Sequence, residues 1–387
     1  MERNVRVLVG TTKGLFILNN SEKDDDWGVS GPHCNLWPIN HAIADADTGT
    51  IWAGGGADWS GAGVWRSTDV GKTWTLCQLT KGQIHDWAAS DPQVAAMFQI
   101  DPTITFPYSG SVENVWALAK VGNALFAGTK PGLFLVSHDA GDTWESVRGF
   151  NEHPTKIDWA PGAVGMILHS IVCDPDNPDH MWVAVSASGV FASEDGGKTW
   201  ERRNRLTNAA DPHDTHPAAA CGNEMGHCVH NMVLAKDPTS QRRVLYQQNH
   251  HGIYSSQDDG RSWNDISAGL PSRFGFPIAV HPTDPNKVWV IPLNGDMQGR
   301  FPVDAAAAVW HSDDAGQTWT AQRNGLPQTG CYFTVLRQSM AVDHNDPMGL
   351  YFGTNSGSVF ASFDQGRTWS EIARHLPTIC GIETMLC

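Results

Sequence analysis

One eight-residue pattern, S-x-D-x-G-x-T-W, recurs along the chain and limits what it can fold into. It stands at Ser67–Trp74, Ser137–Trp144, Ser193–Trp200, Ser256–Trp263, Ser312–Trp319 and Ser362–Trp369. A seventh, degenerate copy ending at Trp27 has lost its glycine. Successive tryptophans lie 47 to 70 residues apart. A repeat of this length with several short strands per period means an array or a propeller. Locally the pattern reads as a hairpin turn. Asp folds its carboxylate onto backbone N–H groups, Gly supplies a positive φ, Thr or Ser opens the outgoing strand, and Trp buries a large apolar face between neighbouring sheets.

Length alone, 387 residues, would allow two or three domains. The end-to-end repeat argues for one closed domain. Each period parses into four strands, A to D. In the sixth these are 277–281, 288–292, 307–311 and 319–323, rich in Val, Ile and Trp and bounded by Pro, Asp, Asn and Gly. The expected fold is all-β, a seven-bladed β-propeller of four-stranded blades. Blade 1 spans 4–32 plus 381–387, blade 2 37–80, blade 3 111–150, blade 4 165–206, blade 5 226–270, blade 6 275–325 and blade 7 334–376. The C-terminal strand supplies strand A of blade 1, which closes the ring and removes its edges.

The repeats resemble the Asp-box (BNR) repeat, and the resemblance covers nearly the whole chain. Such boxes occur in sialidases, some xyloglucanases, the sortilin luminal domain and photosystem assembly factors. The segments Gln248–Tyr254 and Phe274–Pro282 look like bacterial seven-bladed proteins labelled sialidase-like or glycosyl-hydrolase-like. A true sialidase would need an Arg-Ile-Pro motif near the N-terminus and a Tyr–Glu nucleophile pair. The motif is absent, and among the 5 tyrosines Tyr246, Tyr254 and Tyr351 fall in ordinary strands. True sialidase activity is therefore not expected.

A net charge of −15 disfavours nucleic acid or an anionic membrane as partner. No apolar run approaches the roughly 20 residues of a membrane-spanning helix. The N-terminus runs into a strand with no signal-peptide pattern, and the 8 cysteines are scattered. The expectation is a cytoplasmic protein with reduced thiols and a small-molecule substrate.

Connections B–C and D–A lie on one face of a propeller, and this face carries the long insertions, Thr80–Gly110, Asn151–Gly165, Asn208–Gly226 and Gly295–Asp304. Binding and chemistry are expected there, at the mouth of the central channel. Aligned A strands superpose His169 on His230, Asn114 in blade 3, Phe276 in blade 6, Gln338 in blade 7 and Asn40 or His41 in blade 2, with Glu383 near the same level in blade 1. Three readings of this ring stay open. His41, His169, His230 and Glu383 can hold a divalent metal such as zinc or manganese. His169, His230 and Glu383 can move protons while Arg337 holds an anionic group. The ring can also be a hydrated channel lining. Asn114, Trp116, Gln338, Trp59 and Arg300 are the candidate substrate contacts. His213-Asp-Thr-His216 and His227-Cys-Val-His230 have ligand-like spacing, but only His230 falls in the ring. Of the consecutive His250 and His251, at most one can face the mouth.

Two functions fit. The first is a glycosyl-hydrolase-like enzyme acting on a small carbohydrate-like or anionic polar substrate, by hydrolysis or metal-assisted elimination. The alternative is a non-catalytic scaffold or assembly factor that binds a protein on the long-loop face.

Overall fold

The computed structural model describes residues 5–20, 27–159, 161, 165–207, 224 and 227–386. They form seven four-stranded sheets. Six run through consecutive strands of the chain. In the seventh, Ile379–Leu386 lies antiparallel to Val5–Thr11, which pairs onward with Gly14–Asn20 and then Trp27–His33. The protein is thus an all-β seven-bladed propeller, with its last strand innermost in the first blade.

The repeated octapeptide builds the C–D turn. In blade 6 the buried Ser312 Oγ accepts the Gly316 N–H at 2.8 Å and donates to Asp314 Oδ1 at 2.8 Å. Asp314 then accepts the Thr318 N–H at 2.8 Å and the Thr318 hydroxyl at 2.6 Å. Ala315 and Gly316 both have positive φ, 60° and 88°. The turn therefore needs two left-handed residues, of which the sequence pattern marks only the second. Thr318 belongs to the turn rather than to the outgoing strand, which starts after the tryptophan at Thr320–Gln322.

A second set of tryptophans ties blade to blade. Trp52, Trp182 and Trp289 of the B strands donate Nε1–H to the carbonyls of Ala140, Asp259 and Gln365, at 2.8, 2.9 and 3.1 Å. Each acceptor is the residue before the turn glycine of the following blade, so the octapeptide also serves as an inter-blade latch.

The A strands of blades 2 to 6 share one irregularity. Their pairing with strand B skips Asn40, Trp116, His169, His230 and the pair Phe276–Pro277. A β-bulge at the same level in successive blades turns the skipped side chain away from the alternation of its strand. The residue before the bulge packs into the preceding blade. A Cβ on Gly128 would lie 2.4 Å from Leu168 Cδ2 and 2.5 Å from its carbonyl oxygen. Only glycine lets the two strands come this close.

The insertion after blade 2 is helical in part, with α1 at Gln83–Ser90 and α2 at Pro92–Phe98. Asp91 caps α2 by accepting the Gln93 N–H, with Pro92 at the first helical position. His213, His216 and Cys221, in the insertion that follows blade 4, lie outside the described residues.

Candidate functional site

Three polar side chains, Gln338, Asn231 and Ser170, meet across the propeller axis. Gln338 of blade 7 donates Nε2–H to the carbonyl of His169 in blade 4, on the opposite side of the ring. Asn231 of blade 5 donates to the Arg337 carbonyl at 2.8 Å and accepts from Ser170 Oγ at 3.1 Å. Ile382 N–H of the closing strand bonds the Gln338 carbonyl at 2.7 Å. This belt divides the axis into two environments.

Beyond the belt, toward the A–B turns, lies a cavity of about 510 Å³. Five of its polar residues lie at the belt end: His41, Ser170, Asn231, Gln338 and Glu383. Its walls are apolar A-strand residues, among them Ile43, Ile171, Met232, Ile278 and Met340, and it runs to Pro175, Lys236, Pro282 and His344 at the strand ends. Apolar walls with a few convergent polar groups, at this size, are the features of a small-ligand site.

Burial pushes the Glu383 carboxyl up to about 7, against a partial opposing pull from the Thr384 N–H, which bonds Oε1 at 2.9 Å. Near neutral pH the group is therefore a proton donor in a substantial fraction of molecules. Burial lowers His41 to about 4, so its ring is neutral. The Leu118 N–H donates to His41 Nδ1 at 3.0 Å. That bond places the ring proton on Nε2, making His41 a hydrogen-bond donor and not a base. Among the lining residues Glu383 is the sole carboxylate, so they do not build the paired-carboxylate geometry of most glycosidases.

His41, Gln338 and Glu383 thus share the cavity, as the strand alignment expects. His169 does not join them. It sits on a bulge, is fully buried, and places Nδ1 3.4 Å from Ser170 Oγ. Burial first, and the charge of Arg337 second, hold its ring well below the usual histidine range. His230 occupies the same bulge position in blade 5 and bonds the Gly275 carbonyl through Nδ1 at 2.6 Å. The four-residue metal set His41, His169, His230 and Glu383 is therefore not assembled. Among the described residues, the group whose ligand atoms lie within 4.8 Å of one another is Cys228, His230 and His250.

The remaining candidates lie elsewhere. Asn114 is not the bulge residue of blade 3, which is Trp116; Asn114 instead joins blades by accepting from Asn40 and donating to the Gly56 carbonyl, both at 2.8 Å. Trp116 is not among the cavity-lining residues. Trp59 is half exposed and meets Trp87 of α1 edge-on at 6.2 Å. Arg300 pairs with Asp296 and sits over the Phe276 ring at 5.9 Å. Arg337 lies over the same ring at 4.9 Å, and its Nε has no hydrogen-bond partner. The cavity also opens away from the face that carries the long insertions, the reverse of the expectation. Ser170 and Asn231 were missed from sequence because the bulge moves the inward position one residue along.

Residues 223–383 match the DUF6242 beta propeller domain family. The oligoxyloglucan-reducing end-specific xyloglucanase of Emericella nidulans is 22% identical over 220 residues, covering 50% of this chain and 25% of that protein. The chain spans about a quarter of the length of the curated relatives it matches. The GH74 xyloglucanase of Xanthomonas campestris superposes with a TM-score of 0.59 at 16% identity, covering 96% of this chain and 53% of that one. YCF48 bound to a D1 peptide superposes at 0.50 and 14% identity, covering 87% and 82%. The chain is thus a propeller similar to glycoside hydrolases in sequence. The structural likenesses carry its fold.

Proposed function

We propose that this protein is a glycosyl-hydrolase-like enzyme that takes a small polar, carbohydrate-like substrate into the central cavity, with Glu383 as its acid. One observation carries the reading. A carboxyl pushed up to about 7 lies in a cavity of about 510 Å³, beside amide, hydroxyl and imidazole groups suited to sugar hydroxyls. The sequence similarity to xyloglucanases supports the substrate class.

The lining residues allow one chemical step directly. Protonated Glu383 gives its proton to the leaving oxygen as the C–O bond breaks, and water supplies the incoming oxygen. His41 Nε2–H, Asn231 and Gln338 orient the substrate. Product release and solvent return the proton to Glu383.

The test is a panel of aryl glycosides and xyloglucan-derived oligosaccharides. Glu383→Gln is expected to lower kcat by at least about 100-fold with little change in substrate binding. The alkaline limb of the wild-type pH profile should fall near pH 7. Turnover by Glu383→Gln at the wild-type rate would defeat the reading.

A second reading, a scaffold for a protein partner, is favoured by one observation. Trp59, Trp87, Met97 and Phe98 are all exposed on and beside α1 and α2. Wild-type protein that turns over none of the glycoside panel, and that binds a protein partner which Trp59→Ala releases and Glu383→Gln retains, would favour it.

A further inference from the structure

The axis beyond the belt from the cavity holds a group of side chains for which the substrate reading has no use. Cys228 and His250 flank the first rung of the blade 5 A–B ladder, where Val229 pairs with Asn249. The His250 N–H donates to the Cys228 carbonyl at 2.9 Å, which fixes the two residues side by side. His230 is the bulged residue of the same A strand, so its ring leaves the alternation and joins them. The His230 and His250 ring centroids are 5.4 Å apart.

We propose that Cys228, His230 and His250 form a zinc site with an open fourth position. Their ligand atoms lie within 4.8 Å of one another. Atoms sharing a tetrahedral zinc lie about 3.3–3.6 Å apart, from Zn–N of about 2.0–2.1 Å and Zn–S of about 2.3 Å. Side-chain adjustments on the order of 1 Å would close the set.

A second, independent feature points the same way. His230 Nδ1 donates to the Gly275 carbonyl at 2.6 Å. That bond leaves the lone pair on Nε2, the arrangement that orients and strengthens a metal-bound histidine. One thiolate and two imidazoles suit zinc and disfavour manganese.

Three protein ligands leave a coordination position for water or a ligand atom, as in catalytic zinc sites. The positive groups nearby suggest what comes there. The His230 ring lies tilted against Phe276, centroids 4.8 Å apart, and the same phenyl ring carries the Arg337 guanidinium at 4.9 Å and that of Arg300 at 5.9 Å. Arg300 is paired with Asp296, whereas Arg337 has no carboxylate partner among the described residues. A small oxyanion bridging the zinc and Arg337 would satisfy both. This site is independent of the cavity reading, since no residue of the triad lines the cavity.

The experiment uses the full chain, stripped with a chelator and titrated with zinc by calorimetry and with cobalt by absorption spectroscopy. The expected result is one metal per chain and a near-ultraviolet thiolate-to-cobalt charge-transfer band. Cys228→Ser should abolish the band, and His250→Gln should weaken zinc binding at least about tenfold. Glu383→Gln should leave both unchanged. His250→Gln also keeps the test valid if Cys228→Ser fails to fold. Absence of zinc uptake, or uptake with no charge-transfer band and no sensitivity to either substitution, would overturn the proposal. Copper binding to the exclusion of zinc would overturn the choice of metal.

Discussion

The Ser312 hydroxyl bonds in both directions, accepting the buried Gly316 N–H and donating to Asp314. Five other serines do the same in their own turns, as Ser67 does for Gly71 and Asp69. Removing the oxygen strands a backbone donor where water cannot reach, since Ser312 is 1% exposed. Ser312→Ala is therefore expected to cost about 1–3 kcal/mol, read as a lower urea midpoint with an unchanged m-value. A midpoint equal to wild type would mean the turn is held by the aspartate alone. At this scale the sequence is highly informative, because a turn is made by neighbours in the chain. It was incomplete at the threonine, which belongs to the turn, and at the position before the glycine. There Val70, Ala140, Asp259, Ala315 and Gln365 share a positive φ and no common chemistry.

The element that decides which side chains reach the axis is the bulged A strand. Strand periodicity predicts an inward His169 and His230. The bulge reverses this and brings Ser170 and Asn231 to the cavity instead. No turn residue marks the bulge in these segments, and the residue before it packs against the neighbouring blade, a contact that the strand's own sequence does not announce. The close approach of Gly128 to Leu168 is one such contact. Gly128→Ala would push a Cβ into Leu168 and its backbone. It is expected to destabilise by about 1–3 kcal/mol through overpacking, measured as a lower urea midpoint. An unchanged midpoint would show that the blade 3–4 contact is looser than described. The same bulge separates His230 from His41 and Glu383, beside which the strand alignment places it, and brings its ring to Cys228 and His250 instead.

At the scale of the whole molecule, ring closure was legible because the first blade lacks an innermost strand and the last residues form an unpaired one. The hydrogen bonds across the axis were not. Gln338 meets His169 across 169 residues of sequence, and no local pattern encodes that contact. Closure also creates the central site, since Glu383 lies on the closing strand and owes its burial to the strands around it. Its titration follows from this position. The folded carboxyl titrates near 7, against about 4.3 in an unfolded chain, so folding favours the protonated form. Its contribution to stability is thus full below about pH 4.3 and declines as pH rises through 7. The direct measurement is a carbon-13 NMR titration of the glutamate side-chain carboxyls, with the Glu383 signal assigned by its loss in Glu383→Gln. The account predicts a midpoint near 7 for that signal. A midpoint near 4.3 would mean a carboxylate that stays ionised at neutral pH, and it would contradict the acid role at the centre of the propeller.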